Sequence, residues 1–140
     1  RYSFHTTADG KHSAVSQIDD HRAKIGEHYF WLLRINPEDA AARGIAHRDL
    51  VKVRNDRGVV ICAAEVTPAV FAGVVKSYEA SAEFKLVEVD GETVEIGGCM
   101  NFLTPDRSQT RGVSSMSPNS CLVQIEKWRG ANAFLAQAAA

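Results

Sequence analysis

Two stretches of this sequence concentrate side chains that could recognise a polar ligand. The first, Phe4-His5-Thr6-Thr7-Ala8-Asp9-Gly10-Lys11-His12-Ser13, packs hydroxyls, two imidazoles, an ammonium and a glycine into one irregular run. Such a set offers donors and acceptors in several directions, as an anion or a polar ring system requires. His5, Thr6, Thr7, Asp9, Lys11 and Ser13 are the candidate contacts; an ordinary solvated loop is the competing reading. The second stretch is Asn101-Phe102-Leu103-Thr104-Pro105-Asp106. The carboxamide of Asn101 can donate and accept at once, which suits the edge of a planar heterocycle, while Thr104 and Asp106 could fix the loop. A plain Asx turn after a strand is the alternative there.

Other chemistries find less support. His5 and His12, and His21 and His28, are each seven residues apart, which is neither a helix-face pair nor a recognised ligand spacing. There is no Gly-x-Ser-x-Gly elbow for a nucleophile, and no Gly-rich phosphate loop of either common type. Cys62, Cys99 and Cys121 are odd in number and widely spaced, so they read as reduced or buried thiols rather than a disulfide framework or a zinc site.

The elements that must position these stretches follow from pattern. The run His28-Tyr29-Phe30-Trp31-Leu32-Leu33-Arg34-Ile35 predicts a buried strand. Asn36-Pro37-Glu38-Asp39 then predicts a helix start, because Asn can cap, Pro suits the first helical position and acids suit the positive end of the helix dipole; Gly44 ends it. Residues 50–54 and 59–66, joined by Asn55-Asp56-Arg57-Gly58, predict a hairpin. A second hairpin is predicted from 84–89, Asp90-Gly91 and 92–96, with Glu92, Thr93 and Glu95 read as a polar exposed face. Residues 121–128 predict a last strand, 1–27 and 105–120 long loops with at most a short helix around Ser13 to Ile18, and 129–140 either a docked helix or a frayed end. Six strands without β-α-β alternation favour a mainly β, small closed barrel with short helices and long polar loops.

Length and composition bound the rest. One hundred and forty residues suit one domain, and 45% hydrophobic with 24% charged residues suits a packed core. A formal charge of −1 gives no basic field for nucleic acid. The longest apolar runs, such as residues 69–75, are under half of the roughly 20 residues a membrane helix requires. The chain opens on Arg1 without a signal-peptide pattern, so the expectation is a part of a longer polypeptide, with a cytoplasmic setting favoured.

Against this background Asn36-Pro37-Glu38-Asp39-Ala40-Ala41-Ala42-Arg43-Gly44-Ile45, Asp49-Leu50-Val51-Lys52-Val53, Arg57-Gly58, Ala64-Glu65-Val66-Thr67 and Gly73-Val74-Val75 resemble the C-terminal dinucleotide-binding domain of molybdopterin oxidoreductases related to dimethyl sulfoxide reductase. The resemblance covers residues 1–128. The family's His-Ser-Gln signature is matched by His5 and imitated by the hydroxyls of Thr6 and Thr7; its Asn-x-Leu-Thr-x-Asp is matched in full by Asn101 to Asp106. Finer features, Ser3-Phe4-His5-Thr6, Asp9-Gly10-Lys11, Asp20-His21-Arg22, Asn55-Asp56-Arg57-Gly58, Leu103-Thr104-Pro105-Asp106-Arg107 and Ser117-Pro118-Asn119, resemble the branch formed by pyrogallol–phloroglucinol transhydroxylase large subunits.

The resemblance implies a double-psi β-barrel over 1–128 followed by an Ala-rich tail over 129–140. It also implies a role in clamping molybdopterin guanine dinucleotide, with molybdenum or tungsten held mainly by other domains of a parent oxidoreductase or transhydroxylase. The implied partners are those domains, with an iron–sulfur subunit as a further candidate, and the chain alone is expected to be inactive. The rival expectation is a free-standing small barrel that binds a protein or a small ligand.

Overall fold

A computed structural model describes residues 21–77, 84–105, 111–112 and 121–138. His5, Thr6, Thr7, Asp9, Lys11 and Ser13, the short helix expected around Ser13 to Ile18, and Asp106 lie outside the described residues.

The aromatic run forms β2 (His28–Ile35), preceded by β1 (Arg22–Ile25) in an antiparallel hairpin. Gly26, at φ 61°, supplies the left-handed residue that so tight a turn needs. The predicted cap is present: Asn36 Oδ1 accepts from the Glu38 amide at 2.9 Å, Pro37 opens α1 (Pro37–Ala42), and Gly44 follows it at φ 62°. β3 (Leu50–Arg54) and β4 (Val59–Val66) pair antiparallel as expected, and their turn is held by Asn55 Oδ1, which accepts from the Arg57 amide at 2.9 Å.

β4 is the centre of the sheet. β3 takes one edge over its full length; along the other, β2 pairs parallel with Ala63 to Val66, and β7 (Glu92–Glu95) pairs parallel at Val60. β5 (Val75–Ser77) lies antiparallel on β2, β6 (Leu86–Val89) forms a hairpin with β7, and β8 (Gln124–Lys127) pairs with β3. Asp90 and Gly91, at φ 54° and 78°, give the β6–β7 turn two positive φ values, as a type I′ hairpin requires. The chain closes on α2 (Ala131–Ala138), so the docked-helix reading of the Ala-rich end holds for these residues.

The class is mainly β, but the count and closure differ from expectation. Eight strands are present among the described residues rather than six, because β1 and β5 are too short and too polar to show a strand pattern in sequence. They form an open path, β1-β2-β4-β3-β8, with β5, β6 and β7 attached beside it, and no pairing among the described residues joins its ends into a closed barrel. No helix of the described residues is long and apolar enough to cross a membrane.

Alternation along β2 and β4 divides the core in two. Phe30, Leu32, Ile61 and Ala63 face a cluster with Val89, Val94, Trp128 and Phe134. Leu33, Ile35, Val60, Cys62 and Ala64 face a cluster with Val51, Val53 and Leu103. Burial on both faces explains why β4 reads as an almost unbroken apolar run.

Candidate functional site

Of the two candidate stretches, the second lies within the described residues as far as Pro105, and it is built onto the end of β7. The strand ends at Glu95, whose side chain turns inward and is 0% exposed. Its carboxylate accepts from the Lys85 amide at 3.0 Å, the Gly97 amide at 2.6 Å and the Cys99 amide at 2.8 Å. Gly98 adopts φ 82° with its backbone against the Trp31 side chain, where an added Cβ would clash with the indole and its Cβ. The chain then makes a single 3-10 turn, Met100–Phe102.

Beyond that turn the loop is tied down again. Leu103 is buried in the aliphatic cluster, and its carbonyl accepts from Asn55 Nδ2 at 2.7 Å and from the Cys121 thiol at 2.9 Å. Phe102 lies over Gly58, where a Cβ would come within 2.5 Å of the ring. The β3–β4 turn and the candidate loop therefore meet, and glycine at 58 is what allows the approach.

Asn101 sits between these anchors. It is exposed, and its carboxamide makes no hydrogen bond among the described residues. Its backbone carbonyl accepts from Thr104 Oγ1 at 3.3 Å, so Thr104 fixes the loop as the sequence suggested. The result is a free donor–acceptor edge on a braced loop, suited to binding a ring edge rather than to bond making.

Sequence reasoning missed Glu95, which alternation had assigned to an exposed polar face. The signal was the following Gly97-Gly98-Cys99: amides without large side chains that a carboxylate can gather. It also missed Asn55 as more than a turn residue.

All three cysteines are free. Burial, reinforced by the Glu95 carboxylate, pushes the Cys62 thiol far above its ordinary range. Cys99 is raised for the same two reasons, against an opposing effect of the Asn101 and Phe102 amides. Among the described residues no group of three or more His, Cys, Asp or Glu side chains could hold a metal ion.

A groove of about 670 Å³ lies at the far end of β3, lined in part by Arg48, Asp49, Trp128, Arg129 and Leu135. Its carboxylates are already engaged. Asp49 Oδ2 binds Lys127 at 2.8 Å and the Ala46 amide at 2.8 Å, and Glu126 binds Lys52 at 3.2 Å and Arg54 at 3.4 Å. Partial burial acts to raise the Asp49 pKa, but the bonds from Lys127 and Ala46 outweigh it and hold the group below its ordinary value. Glu126 is lowered chiefly by its hydrogen bond from Lys52.

Comparison with known proteins bears on the family of the chain. A family profile described as "Molydopterin dinucleotide binding domain" matches residues 3–122, which takes in both candidate stretches. The chain is 45% identical over 130 residues to the pyrogallol hydroxytransferase large subunit of Pelobacter acidigallici, covering 93% of this chain and 15% of that protein. It is 39% identical over 97 residues to a trimethylamine-N-oxide reductase of Haemophilus influenzae, covering 69% of this chain and 12% of that one. With the dimethyl sulfoxide reductase DmsA of Escherichia coli the identity is 38% over 116 residues, covering 83% and 13%. The chain thus spans only 12% to 15% of the length of these relatives.

Proposed function

The chain belongs to the family of molybdopterin dinucleotide-binding domains, and from that premise we propose that it clamps molybdopterin guanine dinucleotide as the C-terminal domain of a larger molybdenum or tungsten enzyme. The observation that carries the reading is Asn101: an exposed carboxamide with no partner among the described residues, on a loop held at both ends. That donor set fits the cofactor, because a heterocycle edge or a ribose presents donors and acceptors together and a carboxamide answers both. His5, Thr6, Thr7, Asp9, Lys11 and Ser13 complete the clamp in this reading, with Thr104 holding the Asn101 loop.

The bound metal supplies the redox chemistry; this chain binds and orients, which is the usual protein share in a cofactor enzyme. The same reading takes residues 1–128 as a closed double-psi barrel and the remaining domains of the parent subunit as partners. The parallel placement of β2 and β7 along one edge of β4 supports interwoven closure over a simple meander. Transhydroxylation or oxide reduction belongs to the parent, by analogy with the relatives named above.

The test is Asn101→Ala in the full-length protein. A side chain that bridges to the cofactor leaves a polar partner unsatisfied when removed, so retention should weaken by about 1–3 kcal/mol, or roughly 5- to 150-fold, with melting temperature unchanged. Unfolding with cofactor affinity intact would make Asn101 a structural turn residue. Turnover by the 140-residue chain alone with added cofactor would overturn the clamp reading.

A further inference from the structure

A carboxylate shut away from water is costly unless its lone pairs are filled. Glu95 makes no ion pair among the described residues, so the three amides it gathers are what offset its burial. Two of those amides, from Gly97 and Cys99, lie in the short passage between β7 and the 3-10 turn. Within that passage Gly97 and Gly98 carry no side chains, and Gly98 occupies a left-handed conformation against the Trp31 indole. Cys99 directly precedes the turn whose middle residue is Asn101. Downstream, Asn55 and Cys121 fix the Leu103 carbonyl. The upstream anchor is Glu95.

We propose that Glu95 is a positioning residue for the dinucleotide, holding the Cys99 amide so that the Asn101 carboxamide is presented in its binding orientation. The proposal rests on the Asn101 reading above. The two carboxylate oxygens divide the work: Oε1 serves Lys85 and Gly97, and Oε2 serves Cys99. Glu95→Gln keeps the size and one acceptor. If its carbonyl stays with Lys85 and Gly97, its NH2 faces the Cys99 amide, donor against donor, and the damage falls on the Asn101 side. A second substitution reaches the same bond from the other partner. Cys99 has φ −74°, which suits proline, so Cys99→Pro removes that N–H together with the thiol near the Asn101 and Phe102 amides, and Cys99→Ala, which removes the thiol alone, is its control.

The experiment uses the full-length protein purified with its cofactor, and follows the rate of pterin release by fluorescence and the melting temperature of each variant. Val94→Ala, a truncation in the aromatic cluster on the same strand, controls for simple destabilisation. Glu95→Gln and Cys99→Pro are each expected to speed release at least tenfold, whereas Val94→Ala lowers the melting temperature comparably and changes release less than twofold. Glu95→Gln combined with Asn101→Ala should release no faster than Asn101→Ala alone, because Glu95 acts through Asn101.

Release that simply tracks melting temperature across all variants, Val94→Ala included, would overturn the proposal. Normal retention in both Glu95→Gln and Cys99→Pro, with Asn101→Ala impaired, would overturn it while sparing the Asn101 reading. Normal retention in Asn101→Ala would remove both. Should Glu95→Gln fail to fold, the Cys99→Pro result decides alone.

Discussion

On one face of β2 and β4 the core is aromatic, with Phe30 and Trp128 covered by Phe134 from α2; on the other it is aliphatic, and its cover is Leu103 with Met100 and Phe102, from the passage that carries Asn101. The helical cover has nothing to present, and Phe134 simply packs against the rings of His28, Phe30 and Trp128 at centroid distances of 4.8, 6.2 and 5.7 Å. The loop cover has two duties, since Leu103 seals the core while Asn101, two residues earlier, faces out. It is held by side chain–backbone bonds at both ends instead of by helical hydrogen bonding. A binding residue gains precision from this arrangement because its neighbour is a core residue.

The contrast can be broken most forcefully at Phe134. Phe134→Ala should cost about 3–5 kcal/mol of stability, as large-to-small changes in a core do, while per-molecule cofactor affinity stays near normal; chemical denaturation and release rates measure the two. Gly98→Ala should harm both, by roughly 2–4 kcal/mol in stability from the clash with Trp31 and the left-handed φ, with accelerated release because the loop must shift. Stability unchanged in Gly98→Ala would mean the passage is slack and the contrast false. Asn101→Ala, described above, is the third case and should touch affinity alone.

Smaller effects come from the far end of β3. Arg48 holds φ 70° without being glycine. Arg48→Gly relieves about 1–2 kcal/mol of strain and loses about 0.5–1 through a freer unfolded chain, so a net gain between zero and ~1.5 kcal/mol is expected, read as a slightly raised melting temperature. A loss would show that the Arg48 side chain contributes more than its backbone costs. The smallest effect is electrostatic. Asp49 and Glu126 have folded pKa values below their ordinary 3.8 and 4.5, so their contribution is full above those values and fades as pH falls through the lower folded ones. Stability should be flat from neutral pH to about 5 and decline below 4, a decline that salt weakens.

The readable parts of this sequence were those where a local rule decides the structure. β2, the Asn36 cap and both hairpin turns follow from residue type and spacing alone. The same rule misled at Glu95, because alternation assigns a face by polarity, whereas a carboxylate goes inward where backbone amides converge on it. β1 and β5 lack a pattern because each is short and gets its place from β2. The two-sided burial of β4 shows in its apolar run, but the identity of its neighbours does not, since parallel pairing leaves no turn signature. Asn101 was legible as a candidate binding residue by its chemistry; what braces it became visible only when Asn55, Glu95 and Cys121 met around one loop.

The position of β4 also sets an order of assembly. Its only neighbour close in sequence is β3; β2 and β7 must be brought to the other edge from before and after, in parallel, without a hairpin to guide them. Folds dominated by such distant pairings pay loop closure first and fold on the order of milliseconds to seconds. The β3–β4 hairpin is thus the expected nucleus, with β7 expected to dock late. Asn101, strung just beyond β7, is then expected to be among the last groups to reach its place, which on the proposed clamp reading puts cofactor capture at the end of maturation. Cys62, sealed at the middle of β4, provides the clock: quenched-flow alkylation of its thiol should show protection before the Asn101 loop can hold a ligand.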